Sequence, residues 1–332
     1  MSEKLIKEIY EYIETSSLKK ELHLENNFTL SFLAQGEYNK NYILQDNKNK
    51  YVFRLNTGSQ IGVSNQIEYE YRALKRLEES GYTPKVHFVD GSLKKLNSGI
   101  LVMDFLEGRP LEYNLDLEKA GEIFSGIHSL KIKENDFNYL ITENYIFSDR
   151  IKEGKNLLKD IWDSPLIPKE IKVFFEKFLN WCENNASKER FFIEDPWKAI
   201  NNTEVNSHNF IIGDERSYLI DWEKPVISDP CQDITQFLAP TTTLWRTDTI
   251  LSQEEINMFY KVYEKNFPNK NIRERVNMYT PYLYLRALSW CAFAYLEYQN
   301  PNKDIKNPET YEKIKSYLDV NFMNNLLKDW NI

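Results

Sequence analysis

Three oxygen-bearing side chains, Glu204, Asn209 and Asp221, lie close together in the stretch TEVNSHNFIIGDERSYLIDWE, residues 203–223. Two short apolar runs flank a Gly-Asp-Glu-Arg turn in this stretch, a pattern typical of a β-hairpin. Antiparallel pairing brings the first residue of one strand beside the last residue of the other. We therefore expect Asn209 and Asp221 side by side at the open end. An amide and a carboxylate held there suit Mg²⁺, which needs only one or two protein ligands beside water and phosphate.

The hairpin alone leaves a structural alternative open. Asn209 and Asp221 are also residue types that cap strand ends by bonding to the local backbone. The surrounding sequence favours chemistry, because Glu204, Asn209 and Asp221 follow the order of a kinase catalytic core. In such a core one carboxylate contacts the substrate hydroxyl, and an amide and a second carboxylate hold the metal.

The segment resembles the aminoglycoside phosphotransferase and choline kinase-like family, whose usual pattern is His-Gly-Asp-Leu-x-x-x-Asn, a hairpin, and Ile-Asp-Trp-Glu. Residues 202–209 align with the first part without a gap, and Ile-Asp-Trp-Glu stands at 220–223. The resemblance implies an α+β, two-lobed, protein-kinase-like fold with a small antiparallel-sheet lobe and a larger helical lobe. It further implies ATP and Mg²⁺ as cofactors and a small-molecule hydroxyl as acceptor. Glu204, Asn209 and Asp221 would be catalytic, the last two as metal ligands.

Two departures from the family pattern touch the chemistry directly. Glu204 replaces the usual aspartate, and Asn202 replaces the usual histidine. A misplacement of about 1 Å can cost roughly a hundredfold in rate, whereas a positioned acid or base is worth about 10² to 10⁴. Two interpretations follow: a phosphotransferase in which Glu204 orients the acceptor, or a catalytically impaired kinase-fold protein that serves as a nucleotide sensor or scaffold.

A glycine-containing turn in the first part of the chain is a candidate phosphate loop. Residues 35–42, Gln-Gly-Glu-Tyr-Asn-Lys-Asn-Tyr, resemble the family's Gly-Gly-x-x-Asn-x-x-Tyr with the first glycine lost. Gly36 would let backbone N–H groups approach phosphate oxygens closely, and the resemblance places Asn39 in the nucleotide site. A plain hairpin turn is the alternative for a single glycine.

An arginine and a glutamate are the candidate phosphate-gripping pair. Val52 and Arg54 share one face of a predicted strand, where the family carries Lys or Arg toward the α- and β-phosphates. Arg54 on a solvated edge strand is the alternative. Glu70 falls within the apolar stripe of the following helix, and an acid on a buried face is costly unless it is paired. We therefore predict an Arg54–Glu70 ion pair, with Glu70 also matching the family's helix glutamate.

The run Met103-Asp104-Phe105-Leu106 resembles the family's lobe-joining strand. The resemblance implies that its backbone binds the adenine edge between apolar walls. These four residues complete the predicted nucleotide site.

The secondary-structure pattern changes character along the chain. Before about residue 105, short alternating or apolar runs predict strands at 28–33, 42–44, 51–55, 85–89 and 100–105, with one helix at 65–79. Beyond it, helical periodicity dominates, at 116–130, 151–162, 168–185, 253–266, 272–299 and 309–329. We predict a nucleotide-binding lobe, residues 1–105, and a helical lobe with the catalytic loop, metal site and acceptor region, residues 106–332.

Composition limits the classes of partner that the protein is expected to bind. A net charge of −8 and a pI of 5.3 argue against a nucleic-acid partner and fit a cationic small molecule, although such acidity also serves solubility alone. The resemblance implies an aminoglycoside- or choline-like acceptor. No apolar run is long enough to span a bilayer, and three scattered cysteines suit a reducing, cytoplasmic protein. Aromatic residues between 279 and 298 are candidates for cation–π binding of the acceptor, or for core packing. The acceptor, the preference for ATP or GTP and the oligomeric state are not determined by the sequence.

Overall fold

A computed structural model describes residues 3–300, 307–330 and 332. Its strands are β1 (Thr29–Gln35), β2 (Asn39–Gln45), β3 (Lys50–Asn56), β4 (Val86–Asp90), β5 (Gly99–Asp104), β6 (Ile141–Thr142), β7 (Ala199–Asn201), β8 (Phe210–Ile212), β9 (Ser217–Leu219) and β10 (Val226–Ser228). Its α-helices are α1 (Glu3–Thr15), α2 (Leu18–Glu21), α3 (Gln66–Leu77), α4 (Tyr113–His128), α5 (Ile146–Leu157), α6 (Lys169–Asn185), α7 (Arg190–Glu194), α8 (Cys231–Leu238), α9 (Pro240–Arg246), α10 (Gln253–Tyr263), α11 (Ile272–Gln299), α12 (Pro308–Tyr317) and α13 (Val320–Leu327).

The chain divides into two compact units. The first comprises residues 1–141, 202–204 and 208–226, and the second comprises 142–201, 205–207 and 227–332. The first unit therefore extends past the predicted lobe boundary at 105 and includes the hairpin. These units are defined by packing, whereas the predicted lobes are defined by role, so the lobe boundary at 105–106 stays a prediction.

The first unit is built on a five-stranded antiparallel sheet in the order β1-β2-β3-β5-β4. All five strands predicted before residue 105 are present. Alternation along β2 and β3 sends Tyr42, Leu44, Phe53 and Leu55 into a core that the amphipathic helix α1 also enters. Burying this apolar face fixes the register, because a shift by one residue would move every one of these side chains to the opposite face of the sheet.

Helix α3 follows its sequence signals closely. The Asn65 side chain caps it by accepting a hydrogen bond from the Glu68 N–H, and the chain leaves the following 3₁₀ turn at Gly81 in the left-handed conformation. The predicted stripe of Ile67, Glu70, Leu74 and Leu77 is buried throughout. Glu70 is therefore an acid on the packed face of the helix, as predicted.

The predicted hairpin is formed by β8 and β9, with Phe210 paired with Leu219 and Ile212 with Ser217. The segment after β5 pairs with it: the Arg109 N–H donates to the Ile212 carbonyl at 3.1 Å, and the Ile212 N–H donates back at 2.7 Å. The hairpin is thus attached to the segment that leaves the five-stranded sheet.

Gly108 is the residue that permits this attachment. Its φ is +155°, and a Cβ added there would lie 2.6 Å from the Ile212 carbonyl oxygen. We expect Gly108→Ala to lower the free energy of unfolding by about 1–3 kcal/mol, the usual cost of one strained backbone position. Urea unfolding measures this value, with Gly36→Ala as the control, since nothing lies within 4 Å of a Cβ at Gly36. Equal stability of the two variants would contradict the packing described.

The second unit is largely helical, and α11 spans 272–299 as predicted. The predicted helix 309–329 is wrong as one helix: it is divided into α12 and α13, because Asp319 breaks it and caps α13 by accepting from the Phe322 N–H. The three-stranded sheet β6-β10-β7 was not predicted. Its strands have two or three residues each, too few for periodicity to be visible.

The described helices include none that is both long enough and apolar enough to cross a membrane.

Candidate active site

The open end of the hairpin carries the amide and the carboxylate. The Ile220 N–H donates to the Asn209 carbonyl at 2.8 Å, so Asp221 follows directly on the residue that pairs with Asn209. Asp221 has φ +62°, a conformation that Asp and Asn tolerate better than other non-glycine residues. Its side chain is 31% exposed. The predicted adjacency of the two residues along the hairpin is therefore present.

Asn202 ties the loop before the hairpin to its far strand. The Asn202 amide donates to the carbonyls of Ile220 and Asp221, at 3.3 and 3.1 Å, and its Oδ1 accepts from the Glu204 N–H at 3.0 Å. Asn202 is fully buried. The residue that departs from the family's histidine thus holds the backbone of both Glu204 and Asp221 in place.

Glu204 is held at its backbone and at its side chain. Its carbonyl accepts from the Asn209 Nδ2 at 2.6 Å, which leaves the Asn209 Oδ1 as the oxygen suited to a cation. The Glu204 carboxylate forms an ion pair with Lys224 and is 32% exposed. The structure therefore joins Glu204 and Asn209 directly.

The predicted Arg54–Glu70 ion pair is present and buried. The Arg54 Nε donates to the Asn41 Oδ1 at 2.9 Å, so β2, β3 and α3 all fix the guanidinium. The second Glu70 oxygen, Oε2, is buried without a hydrogen-bond partner among the described residues. A solvated edge-strand arginine is excluded, because β3 lies inside the sheet and Arg54 is 6% exposed.

Two more carboxylates surround the same guanidinium. Arg54 lies 3.7 Å from the Asp221 Oδ1 and 4.0 Å from the Glu223 Oε1. Burial, opposed by the Arg54 charge, raises the pKa of Glu70 to about 7. Burial and the neighbouring Asp221 raise the pKa of Glu223 to about 8. Three acids thus share one arginine, and their mutual repulsion adds to the effect of burial on these pKa values. A further cation nearby would favour the charged form of the carboxylates.

The glycine turn and the Asn39 side chain make different kinds of contact. Asn39 is 2% exposed; its amide donates to Glu223 and its Oδ1 accepts from Asn56. The Asn39 side chain therefore helps to hold the Glu223 carboxylate in place. The Gly36 N–H donates to the Asn39 carbonyl at 2.9 Å. In the described part of the chain, the tip amides of Glu37 and Tyr38 donate to no other backbone group, so these amides are the ones at the turn that suit a phosphate.

The segment 103–106 begins inside the sheet and ends beyond it. Met103 is buried in β5, and the N–H groups of Asp104 and Phe105 donate to the Lys85 and Lys50 carbonyls, at 2.9 and 3.4 Å. The Leu106 N–H donates to no other backbone group in the described chain. Leu106 is therefore the residue of this segment whose amide suits a ligand.

The match to known proteins agrees with this arrangement. Residues 29–257, more than half of the chain, match the phosphotransferase enzyme family. The chain belongs to that family. The predicted family and its small-molecule kinase class are thereby confirmed. No protein with a curated description matches this phosphotransferase.

Solved structures confirm the two-lobed α+β fold of this phosphotransferase. A Plasmodium vivax ethanolamine kinase has 14% sequence identity and a TM-score of 0.64, over 99% of this chain and 92% of its own. A choline/ethanolamine kinase family protein from Mesorhizobium loti has 16% identity and a TM-score of 0.63, over 98% and 95%. A spectinomycin phosphotransferase, solved with ADP and spectinomycin, has 16% identity and a TM-score of 0.59, over 90% and 94%.

The donor set of this phosphotransferase fits a hard divalent cation. The Asn209 Oδ1 and the Asp221 carboxylate are oxygen ligands of the kind that Mg²⁺ accepts, two in number. In the described part of the chain, no group of three or more His, Cys, Asp and Glu side chains could hold a metal ion.

Several residues that shape the site were not assigned by sequence reasoning. Glu223 stands in the Ile-Asp-Trp-Glu motif, which offered a signal, but no role was given to it. Asn202 was noted only as a departure. Lys224 and Gln60 carry no sequence signal, because their partners lie far away along the chain.

Proposed function

We propose that this protein transfers the γ-phosphoryl group of ATP, with Mg²⁺, to a hydroxyl of a small cationic molecule. One observation carries the proposal: within a single compact unit, the buried Arg54–Glu70 pair lies beside Asp221, at the end of the hairpin that also positions Asn209 and Glu204. Phosphate gripping, metal binding and acceptor orientation are the functions that phosphoryl transfer requires.

Arg54 would contact the α- and β-phosphates. Its planar guanidinium offers several N–H donors in a fixed geometry that matches phosphate oxygens. Glu70 orients it from one side and Asn41 from another. Because sheet and helix both restrain this side chain, it is preorganised, and little conformational entropy is lost when phosphate binds.

Asn209 and Asp221 would hold Mg²⁺ through the amide oxygen and the carboxylate. A divalent cation held by these two residues would supply positive charge to offset the negative charge that develops on the phosphate oxygens. The tip amides beside Gly36 would cover the phosphates, and the Leu106 amide would bind the adenine edge. Residues 1–105 would then form the nucleotide lobe, and residues 106–332 would supply the catalytic loop, the metal ligands and the acceptor region.

Glu204 would accept a hydrogen bond from the acceptor hydroxyl and aim its oxygen at the γ-phosphorus. The transition state of phosphoryl transfer is loose, so orienting the nucleophile matters more than removing its proton early. The longer side chain is compatible with this role, because the Glu204 backbone is fixed by Asn202 and Asn209.

The cationic class of the acceptor rests on charge and on the relatives. The net charge of −8 favours a cation, and the relatives include ethanolamine kinase and spectinomycin phosphotransferase. The aromatic helix contributes less than its composition suggests, since Tyr279, Tyr282 and Tyr284 are core residues. Trp290, 42% exposed and 5.6 Å from Trp245, remains a candidate for cation–π binding.

Glu204→Gln tests the acceptor-orienting role. We expect the transfer rate to fall at least about tenfold, the low end for losing a positioned acid or base. Mg·ATP binding should stay unchanged, because Glu204 contacts the acceptor. Coupled ADP release measures the rate over choline, ethanolamine and spectinomycin, with Glu215→Gln in the exposed hairpin turn as the control.

An unchanged rate in Glu204→Gln would remove Glu204 from the mechanism. A thermal shift of the wild-type protein with Mg·ATP, together with no turnover on a broad acceptor panel, would instead support the nucleotide sensor. Co-crystallisation with an ATP analogue would then show whether an acceptor cleft exists.

A further inference from the structure

Lys224 directly follows the Ile-Asp-Trp-Glu motif, and its side chain reaches back to the loop that carries Glu204. The Lys224 ammonium forms an ion pair with the Glu204 carboxylate and donates to the Gln60 Oε1 at 2.8 Å. The Lys224 side chain is only 13% exposed. A lysine in the segment between β9 and β10 is therefore held by partners from two separate loops.

The main chain around this pair is fixed as well. The Thr203 hydroxyl donates to the Lys224 carbonyl at 2.9 Å, which joins the residue before Glu204 to the residue that pairs with it. Thr203 has φ +67°, a conformation that is rare for a β-branched residue and persists only where the surroundings enforce it. Together with the Asn202 bond to the Glu204 N–H, these contacts hold the backbone segment at Glu204 close to the backbone segment at Lys224.

The Lys224–Glu204 ion pair restrains a side chain that is longer than the family's aspartate. Glutamate has one more rotatable bond than aspartate, so its carboxylate samples more positions unless something holds it. A charge-assisted hydrogen bond is short and directional, about twice as strong as a neutral one. The Lys224 ammonium is such a donor, and its hydrogen bond to the Gln60 Oε1 is a second contact that restrains it.

We propose that Lys224 is a positioning residue: it holds the Glu204 carboxylate so that glutamate performs the acceptor-orienting role in this chain. The inference rests on the proposed function, because it assigns Lys224 an effect on turnover through Glu204. Lys224 then contributes to the transfer rate without binding nucleotide.

A double-mutant cycle of Lys224→Met and Glu204→Gln tests this proposal on the full chain. ADP release from Mg·ATP is measured with choline, ethanolamine or spectinomycin, or with water where none is accepted. We expect Lys224→Met to lower kcat about 10- to 100-fold, with the KM for Mg·ATP within about twofold. In the Glu204→Gln background the same change should cost less than about twofold, because the group it positions is gone. Lys224→Arg should retain most of the activity.

Lys48→Met is the matched control, since it removes another lysine–glutamate ion pair, with Glu25 at 3.0 Å on the same unit. Unchanged kcat in Lys224→Met would overturn the proposal. An equal loss in both backgrounds would also overturn it, because Lys224 would then act independently of Glu204. A raised KM for Mg·ATP would overturn it as well and would indicate an effect of Lys224 on nucleotide binding.

Failure of the proposed function is distinguishable from failure of this inference. If the wild-type protein neither binds Mg·ATP in calorimetry nor turns it over, the proposed function fails. The pairing itself is then tested by urea unfolding of the four proteins in the cycle. Additive changes in stability would mean that Lys224 does not hold Glu204, whereas a non-additive result would support the contact.

Discussion

Asp221→Asn is expected to lower ATP turnover at least about 10²-fold, in the range seen when one preorganised charge-stabilising group is removed from an active site. The substitution keeps the shape of the side chain but takes away the negative charge that a divalent cation requires. The fold should survive, because asparagine accepts the left-handed φ of +62° that this position needs.

The measurement is ADP release, together with calorimetric titration of ATP with and without Mg²⁺. We expect the variant to lose the Mg²⁺-dependent part of nucleotide affinity and to keep its unfolding midpoint. Asp214→Asn, in the exposed turn of the same hairpin, is the control and should behave as wild type. Full turnover in Asp221→Asn would reject the metal assignment.

Glu70→Leu is expected to lower the free energy of unfolding by about 1–3 kcal/mol, the usual cost of leaving a buried donor without its partner. Arg54 would be left buried, with Asp221 at 3.7 Å and Glu223 at 4.0 Å as its nearest acids. The guanidinium should turn toward Asp221, so the affinity for Mg·ATP should also fall. Urea unfolding and calorimetry measure the two effects.

The double variant Arg54→Met/Glu70→Leu separates stability from binding. Replacing both partners by apolar side chains of similar volume is often neutral or stabilising, so most of the lost stability should return. Affinity for Mg·ATP should not return, because the phosphate ligand is gone. A double variant that binds Mg·ATP as tightly as wild type would show that Arg54 is not a phosphate ligand.

Both predictions concern the same group of charges. Glu70, Asp221 and Glu223 share Arg54, so a change at any one of them alters the electrostatic environment of the others. Effects of these substitutions are therefore not expected to add. The design of any multiple variant at this site should include every single variant as a reference.

Sequence patterns were sufficient to predict those features that depend on a single strand, helix or hairpin. The stripe from Ile67 to Leu77 placed Glu70 on a packed face, and burying an acid requires a partner. The family resemblance supplied Arg54 as that partner, since the alternation in residues 51–55 left a solvated edge-strand arginine open. The hairpin could be predicted from its local pattern, since a turn and two apolar runs lie within one short segment.

Contacts across long sequence separations were not accessible in this way. No pattern connects Lys224 with Gln60 or Glu204, or Asn39 with Glu223, because each pair joins side chains from segments that only folding brings together. The division of residues 309–329 escaped detection for a different reason. Helical periodicity continues through residues 309–329 and predicted one helix. In the structure, Asp319 interrupts this helix and caps the next one.

The sequence by itself thus determined the family, the five strands and the helix α3 of the first hundred residues, and the candidate residues for phosphate, metal and acceptor chemistry. Local periodicity and motif order encode these features directly. The tertiary structure alone decided that Asn202 bonds the far strand of the hairpin, that Asn39 donates to Glu223, and that Lys224 forms an ion pair with Glu204. Such contacts depend on how separate helices, strands and loops are packed together. That packing is driven by the burial of apolar faces, and the polar side chains meet as a consequence of it.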